Sequence, residues 1–262
     1  MWIKEPPKDF KSELSFYSNA LFLWKDDNSP IYIMDNHLSA AWCWMQECNP
    51  DDNYNFMHID RHSDLKACGY PENIDFLKSN RNISFEKYEE ISYITTNNFP
   101  FFQWDNYIRA CHYLFPQWFN TNIFYTQDYN NGTASEWGYP AITIQSKDYK
   151  DVCQGIEQYI QNSNCGANAY FEKSMQTNKW ILNIDIDFFW NNDRKKIFDD
   201  NFIRCFARRV NNAMNKVQVL TIALSPDCVG GSTLNTKWDA ALNIIQIMKE
   251  EMPCLKNFPD MR

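Results

Sequence analysis

A chain of 262 residues with 44% hydrophobic and 16% aromatic content has ample material for a well-buried core, which argues against a disordered protein. Acidic residues outnumber basic ones 33 to 25, and the net charge of −8 argues against a nucleic-acid partner and mildly favours a cationic one. The nine cysteines show no C-x-x-C spacing, no apolar signal core opens the chain, and no long uncharged apolar run occurs. Free thiols in a reducing cytoplasm, with no membrane span, are therefore expected.

No repeat or linker-like stretch interrupts the chain, so residues 1–262 read as one domain. Pro30 to Met34 is a short apolar strand, followed by a helical stretch from Leu38 to Cys48. Tyr54 to Ile59 is a second strand, and loops are expected at Ser79 to Asn82 and Asn130 to Gly132. Helical spacing runs from Trp104 to Leu114, β character returns at Asn122 to Tyr125, and Asp148 to Ile160 is helical. The aromatic segments Phe99 to Trp104 and Phe115 to Phe119 read as core, with a peptide groove as the alternative. Trp180 to Ile186 and Val217 to Leu224 are strongly apolar strands. Between them lies a helix, Asp199 to Met214, with a basic face of Arg204, Arg208 and Arg209; an amphipathic helix, Trp238 to Met252, follows. Fully apolar strands separated by helices predict an α/β fold in three layers, its central sheet mostly parallel and covered on both faces.

Polar residues fall where such a fold would gather them. Asp35 to His37, Asp60 to Asp64, Asp185 with Asp187, and Ser225 to Asp227 each follow a different strand. In open parallel sheets, ligands bind beyond the carboxyl ends of the strands, so the four segments should converge.

Their chemistry suits a metal. In His58-Ile59-Asp60-Arg61-His62-Ser63-Asp64, a strand continuing to position 62 would put Asp60 and His62 on one face, with Asp64 reaching them after a turn. The alternative is a turn in which Asp64 caps the next helix and His62 lies at the surface. Asp185 and Asp187 sit at i and i+2 in an apolar run with no basic neighbour in sequence, and two buried carboxylates repel unless a cation lies between them. His37, one of four histidines, stands at a strand-to-helix switch.

A His, then Asp-x-His-x-Asp, then Asp-x-Asp, in that order, resembles the ureohydrolase superfamily of arginases and agmatinases. The wording Met34-Asp35-Asn36-His37, His58 to Asp64, Asp185 to Phe189 and Ser225-Pro226-Asp227 further resembles a compact branch that includes peptide arginases. The motifs cover about twenty positions between residues ~30 and ~230. The resemblance implies an arginase/deacetylase-like three-layer fold and a binuclear hydrolase of guanidino groups. Its substrate would be arginine in a ribosomal precursor peptide, converted to ornithine with release of urea. One ion would take His37 and Asp64, the other His62 and Asp187, with Asp60 and Asp185 bridging. This oxygen-rich set suits two Mn²⁺. Asp64 would orient the attacking water and relay its proton.

The chain departs from the arginase pattern on the substrate side. The Glu expected after a later strand is absent, leaving Asp227 as the first candidate for the guanidinium and Glu136 as the second. The Gly-rich turn before the metal His is replaced by Asp35-Asn36, and no His follows His62 until His112. His112 and His58 are the candidates for proton transfer, with packing as the alternative for each. The rival functions are a zinc-dependent deacetylase-like amidohydrolase and a non-catalytic metal-containing binding protein. Oligomeric state is not legible in the chain.

Overall fold

The computed structural model describes residues 1–16, 18–68, 71–79, 82–92, 99–127, 141–145, 151–161 and 179–261. Its strands are β1 (Trp2–Lys4), β2 (Leu23–Lys25), β3 (Ile31–Met34), β4 (Asn55–Ile59), β5 (Asn122–Thr126), β6 (Ala141–Gln145), β7 (Trp180–Asp185) and β8 (Val217–Ala223). They form one sheet in the order β1-β2-β3-β8-β7-β4-β5-β6. From β3 to β6 every pairing is parallel; only β1 and β2 are added antiparallel at one edge. Those two strands are only three residues long, too short for a strand period to show in their sequence.

The α-helices are α1 (Ala40–Glu47), α2 (Pro71–Ser79), α3 (Phe85–Glu89), α4 (Tyr107–Leu114), α5 (Asp151–Gly155), α6 (Asp200–Ala213) and α7 (Leu234–Glu251). Side chains on a strand alternate between faces, and here each face has its own core. Ile31, Ile33, Leu182 and Ile184 pack with α6 and α7, whereas Tyr32, Met34, Ile181 and Val219 pack with α1 and α4. The result is the expected three-layer arrangement, with β3, β4 and β7 buried along their whole length.

Local chemistry explains the helix ends. Asn36 accepts a hydrogen bond from Leu38 N and starts a 3-10 turn, His37–Ser39, before α1. In α6 the buried residues Ile203, Phe206, Ala207, Val210 and Ala213 follow helical spacing. Its basic face is neutralised by ion pairs from Arg204 to Glu250, Arg208 to Glu251 and Arg209 to Glu157. Thr233 opens α7 through a reciprocal capping box with Thr236.

Several boundaries differ from the sequence reading. The segment read as one helix ending at Ile160 is α5 followed by a π-helical stretch, Ile156–Gln161. α4 starts at Tyr107 and not at Trp104, so residues 104–106 form a turn. Phe101, Phe102, Phe115, Trp118 and Phe119 are buried, placing both aromatic segments mainly in the core. The loop expected at Asn130 to Gly132 lies outside the described residues. Among the described residues, eight cysteines are free, and no helix is long and apolar enough to cross a membrane.

Candidate metal centre

The four strands β3, β8, β7 and β4 are neighbours and run parallel, so their carboxyl ends open on one side of the sheet. There the segments from His37, Ser225, Asp185 and Asp60 meet around a cavity of about 190 Å³. Its lining includes Asn36, His37, His62, Asp64, Trp104, Asp105, Asp185, Asp187, Ser225, Asp227 and Cys228.

Two groups of donor atoms share Asp60. His37 Nδ1 lies 3.0 Å from Asp64 Oδ2, 3.3 Å from Asp60 Oδ2 and 3.6 Å from Asp185 Oδ2. His62 Nδ1 lies 3.1 Å from Asp187 Oδ2 and 3.5 Å from Asp60 Oδ1. Asp60 thus turns one oxygen to each imidazole. His37, Asp60 and Asp185 form one potential ion-binding group, and Asp60, His62 and Asp187 another. His58, with Asp60 and Asp64, forms a third grouping, but both of its nitrogens face protein partners.

The way these residues are delivered differs from a continued strand. β4 ends at Ile59, and Asp60 Oδ1 accepts the backbone N–H of His62 at 2.7 Å, folding the chain back on itself. β7 ends at Asp185, whose Oδ1 accepts the backbone N–H of Asp187 at 2.8 Å as a 3-10 turn begins. The two carboxylates are therefore gathered by a capped turn, not by strand alternation. Asp64 and Ser225 hold left-handed backbone, φ 51° and 38°, a conformation disfavoured for residues other than glycine. Ser225 uses it to donate its hydroxyl to Asp185 Oδ2 at 2.5 Å.

Electrostatics make the group costly without a cation. Burial, with repulsion from Asp187 and Asp60, pushes Asp185 well above the usual carboxylate range. Burial and the Asp60 charge push Asp64 up to about 7, and Asp187 is raised for the same two reasons. Burial works against charge on the imidazoles, yet carboxylates override it: His37 is raised well above its ordinary value and His62 to about 12. A bound cation would offset this buried negative charge without protonating the carboxylates. His37 Nε2 is buried without a hydrogen-bond partner, and Asp60 Oδ2 and Asp187 Oδ2 are buried with only side-chain nitrogens beside them. The donor set of four carboxylates and two imidazoles fits two oxygen-preferring divalent ions.

Other sequence candidates separate cleanly. Asp227 lines the cavity and is only partly buried. His58 is fully buried beneath it, where desolvation lowers its pKa to about 4. His112 lies on α4 with its ring 5.3 Å from Phe119, and it is not among the cavity-lining residues. Glu136 lies outside the described residues.

Three contributors escaped the sequence reading. Trp104 and Asp105 line the cavity because α4 begins one turn later than the periodicity suggested. Asp105 pairs with Lys66 at 3.1 Å through Oδ2, while its Oδ1 is buried without a hydrogen-bond partner. Arg61 is the basic partner missing near Asp187 in sequence. Its Nη2 lies 3.4 Å from Asp187 Oδ2, and its Nη1 donates to the carbonyls of Asn191 (2.9 Å) and Cys228 (3.1 Å). It thereby ties together the loops after β4, β7 and β8. Arg61→Met should cost about 3 kcal/mol in chemical unfolding, since it leaves buried Asp187 with His62 as its one cationic side-chain partner among the described residues and strands two carbonyls. A loss near zero would mean that the pair contributes nothing net.

No protein-family model matches this chain, and no curated protein matches it. Among solved structures it is similar to the agmatine ureohydrolase of Thermoplasma volcanium, with 15% identity and a TM-score of 0.44 over 86% of this chain and 63% of that one. It is also similar to proclavaminate amidino hydrolase from Streptomyces clavuligerus (9% identity, TM-score 0.45, 84% and 63% coverage). A third likeness is to Entamoeba histolytica arginase in complex with L-ornithine (13% identity, TM-score 0.45, 84% and 70% coverage). The chain thus spans 63% of the length of the first two. These are likenesses of chain path, and the roles of the site residues rest on their own geometry and chemistry.

Proposed function

We propose that this chain is a ureohydrolase-type enzyme that uses two Mn²⁺ to hydrolyse a guanidino group, acting on arginine within a precursor peptide. The observation that carries this reading is Asp60, whose two oxygens face two separate imidazole-carboxylate groups at the floor of one cavity. His37, Asp64, Asp60 and Asp185 would hold one ion, and His62, Asp187 and Asp60 the other, with Asp185 as a second shared ligand by resemblance. When bound, such ions act as Lewis acids and make water a nucleophile at neutral pH.

The side chains supply the rest. Hydrolysis adds the oxygen of water to Cζ of arginine and breaks the Cζ–Nε bond, so a proton must reach Nε as the ornithine amine leaves. Asp64 lines the cavity, where its carboxylate can accept a proton from the attacking water and pass it toward Nε. Asp227 and Asp105 supply negative charge for the guanidinium outside the proposed ligand set, and Trp104 adds an aromatic wall.

A peptide substrate fits the lining. Free arginine brings an α-carboxylate, yet no Lys or Arg lines the cavity among the described residues, and Lys66 at its edge is paired with Asp105. Arginine in a peptide has no such carboxylate to neutralise.

Urea release with Mn²⁺, measured on an arginine-containing peptide, agmatine and free arginine, tests the proposal. The peptide should give the highest kcat/KM. No urea from any of the three overturns the reading, and preference for free arginine or for agmatine overturns its peptide part. Asp227→Ala should raise KM roughly 10-fold or more, the loss of about one charge-assisted hydrogen bond, while metal content stays unchanged. Unchanged KM would move that role to Asp105.

A further inference from the structure

A chain of buried hydrogen bonds runs under the cavity floor, and its polarity can be read from both ends. At one end is Trp44, whose indole nitrogen is donor-only and sits 3.2 Å from Thr221 Oγ1. Thr221 therefore accepts there and has its own hydrogen to give. It lies 2.6 Å from Asn183 Oδ1, a separation typical of O–H···O and short for N–H···O. That contact makes Asn183 Oδ1 an acceptor and leaves its amide nitrogen to donate. Asn183 Nδ2 lies 2.9 Å from His58 Nδ1 and 2.8 Å from the Tyr107 hydroxyl. His58 Nδ1 is thus an acceptor, and the ring proton resides on Nε2.

The other end agrees independently. His58 Nε2 lies 3.2 Å from the backbone carbonyl of His62, an acceptor-only group, and 3.4 Å from Asp60 Oδ2. A bare lone pair on Nε2 would face two oxygens with no hydrogen between them. Every residue in the chain is buried: Trp44, Thr221, Asn183 and His58 each have 0% exposure, so water does not offer an alternative partner.

We infer that Trp44, Thr221 and Asn183 hold His58 as the neutral Nε2–H tautomer, making it a positioning residue that anchors the Asp60–His62 turn and aims an N–H dipole at Asp60. This inference builds on the metal reading, because Asp60 and His62 are its proposed ligands. It removes His58 from proton transfer: Nε2–H is committed to the turn and Nδ1 to Asn183, with no face on the cavity. His58 acts on the ions only through the two residues it holds.

Two variants map which nitrogen matters. Glutamine places its amide nitrogen near the position of imidazole Nε2, whereas asparagine reaches only the position of Nδ1. His58→Asn should weaken Mn²⁺ binding by about 10- to 100-fold in calorimetric titration, the usual loss when a partner of a metal ligand is removed. His58→Gln should stay within about 3-fold of the parent. Equal losses in both variants, or none in either, overturn the inference. Thermal unfolding of each variant verifies that it is folded. Independently of any metal, long-range ¹H–¹⁵N spectra of the full chain carrying ¹⁵N-histidine should show His58 protonated on Nε2 alone, with its signals identified by their loss in His58→Gln. A proton on Nδ1 overturns the inference. A parent chain that binds no Mn²⁺ but shows the expected tautomer would overturn the proposed function and leave the hydrogen-bond chain standing.

Discussion

Asp60→Asn is expected to leave the protein with less than one Mn²⁺ per chain by elemental analysis and to reduce urea release by at least about 100-fold. The reason is geometric: Asp60 is the carboxylate that faces both imidazoles, with Oδ2 toward His37 and Oδ1 toward His62. It is also the group held most firmly ionised. Burial opposes its charge, but the hydrogen bonds from His37 and His62 draw its pKa well below the ordinary value. Neutralising it removes the common charge of both groups and the acceptor that folds the His62 turn. Even an outer partner of a metal ligand typically contributes 10- to 100-fold, so a shared ligand should contribute more. Asp187→Asn is the control, because Asp187 belongs to the His62 group; it should retain about one ion. Two ions retained in Asp60→Asn would refute the shared-ligand assignment.

Removing metal should lower the melting temperature by about 10 °C, and the difference should widen from pH 6 to pH 8. A ligand at about 1,000 times its Kd adds about 4 kcal/mol, and at this chain length each kcal/mol corresponds to roughly 2–4 °C. The sign of the pH dependence follows from the raised groups. His62 has an ordinary value of 6.5 and is raised to about 12 in the metal-free fold. Its stabilising contribution is complete below 6.5 and fades as pH climbs toward 12. Asp64, raised from 3.8 to about 7, penalises the metal-free fold increasingly across that interval and fully above it. Asp60 has the opposite sign, but its lowered pKa lies below this window, so it stays constant from pH 6 to 8. Metal competes with the protons on His37, His62 and Asp64, so it binds more tightly as pH rises. A smaller Mn²⁺-induced increase at pH 8 than at pH 6, followed by differential scanning fluorimetry, would contradict this account.

Much of the centre was legible in one dimension because each donor carries a local mark. Asp185 and Asp187 interrupt an apolar strand, Asp60 and His62 follow another at close spacing, and His37 stands where a strand gives way to a helix. What such marks cannot convey is the instrument of delivery. Strand alternation was the expected device, yet both Asp-x-x pairs are gathered by side chains that cap the turn immediately following the strand. Asp105 was hidden for a related reason: hydrophobic periodicity extends back to Trp104, while the helix begins at Tyr107. Arg61 lay in plain view between two proposed ligands, but its partners are 126 to 167 residues away.

Composition, apolar strand runs and the placement of acidic residues after them were enough to determine a three-layer α/β protein with its polar chemistry at the strand ends. They identified the metal-binding reading because buried carboxylates in apolar surroundings need a compensating cation. Tertiary structure decided what depends on distance between separate segments. It made β3, β8, β7 and β4 neighbours, gave Asp60 one oxygen for each imidazole, put Asp227 and Asp105 on the cavity wall, and placed His58 beneath its floor. Hydrogen bonds and Coulomb interactions fall off within a few ångströms, so which polar groups share a task is settled only when the sheet order is known.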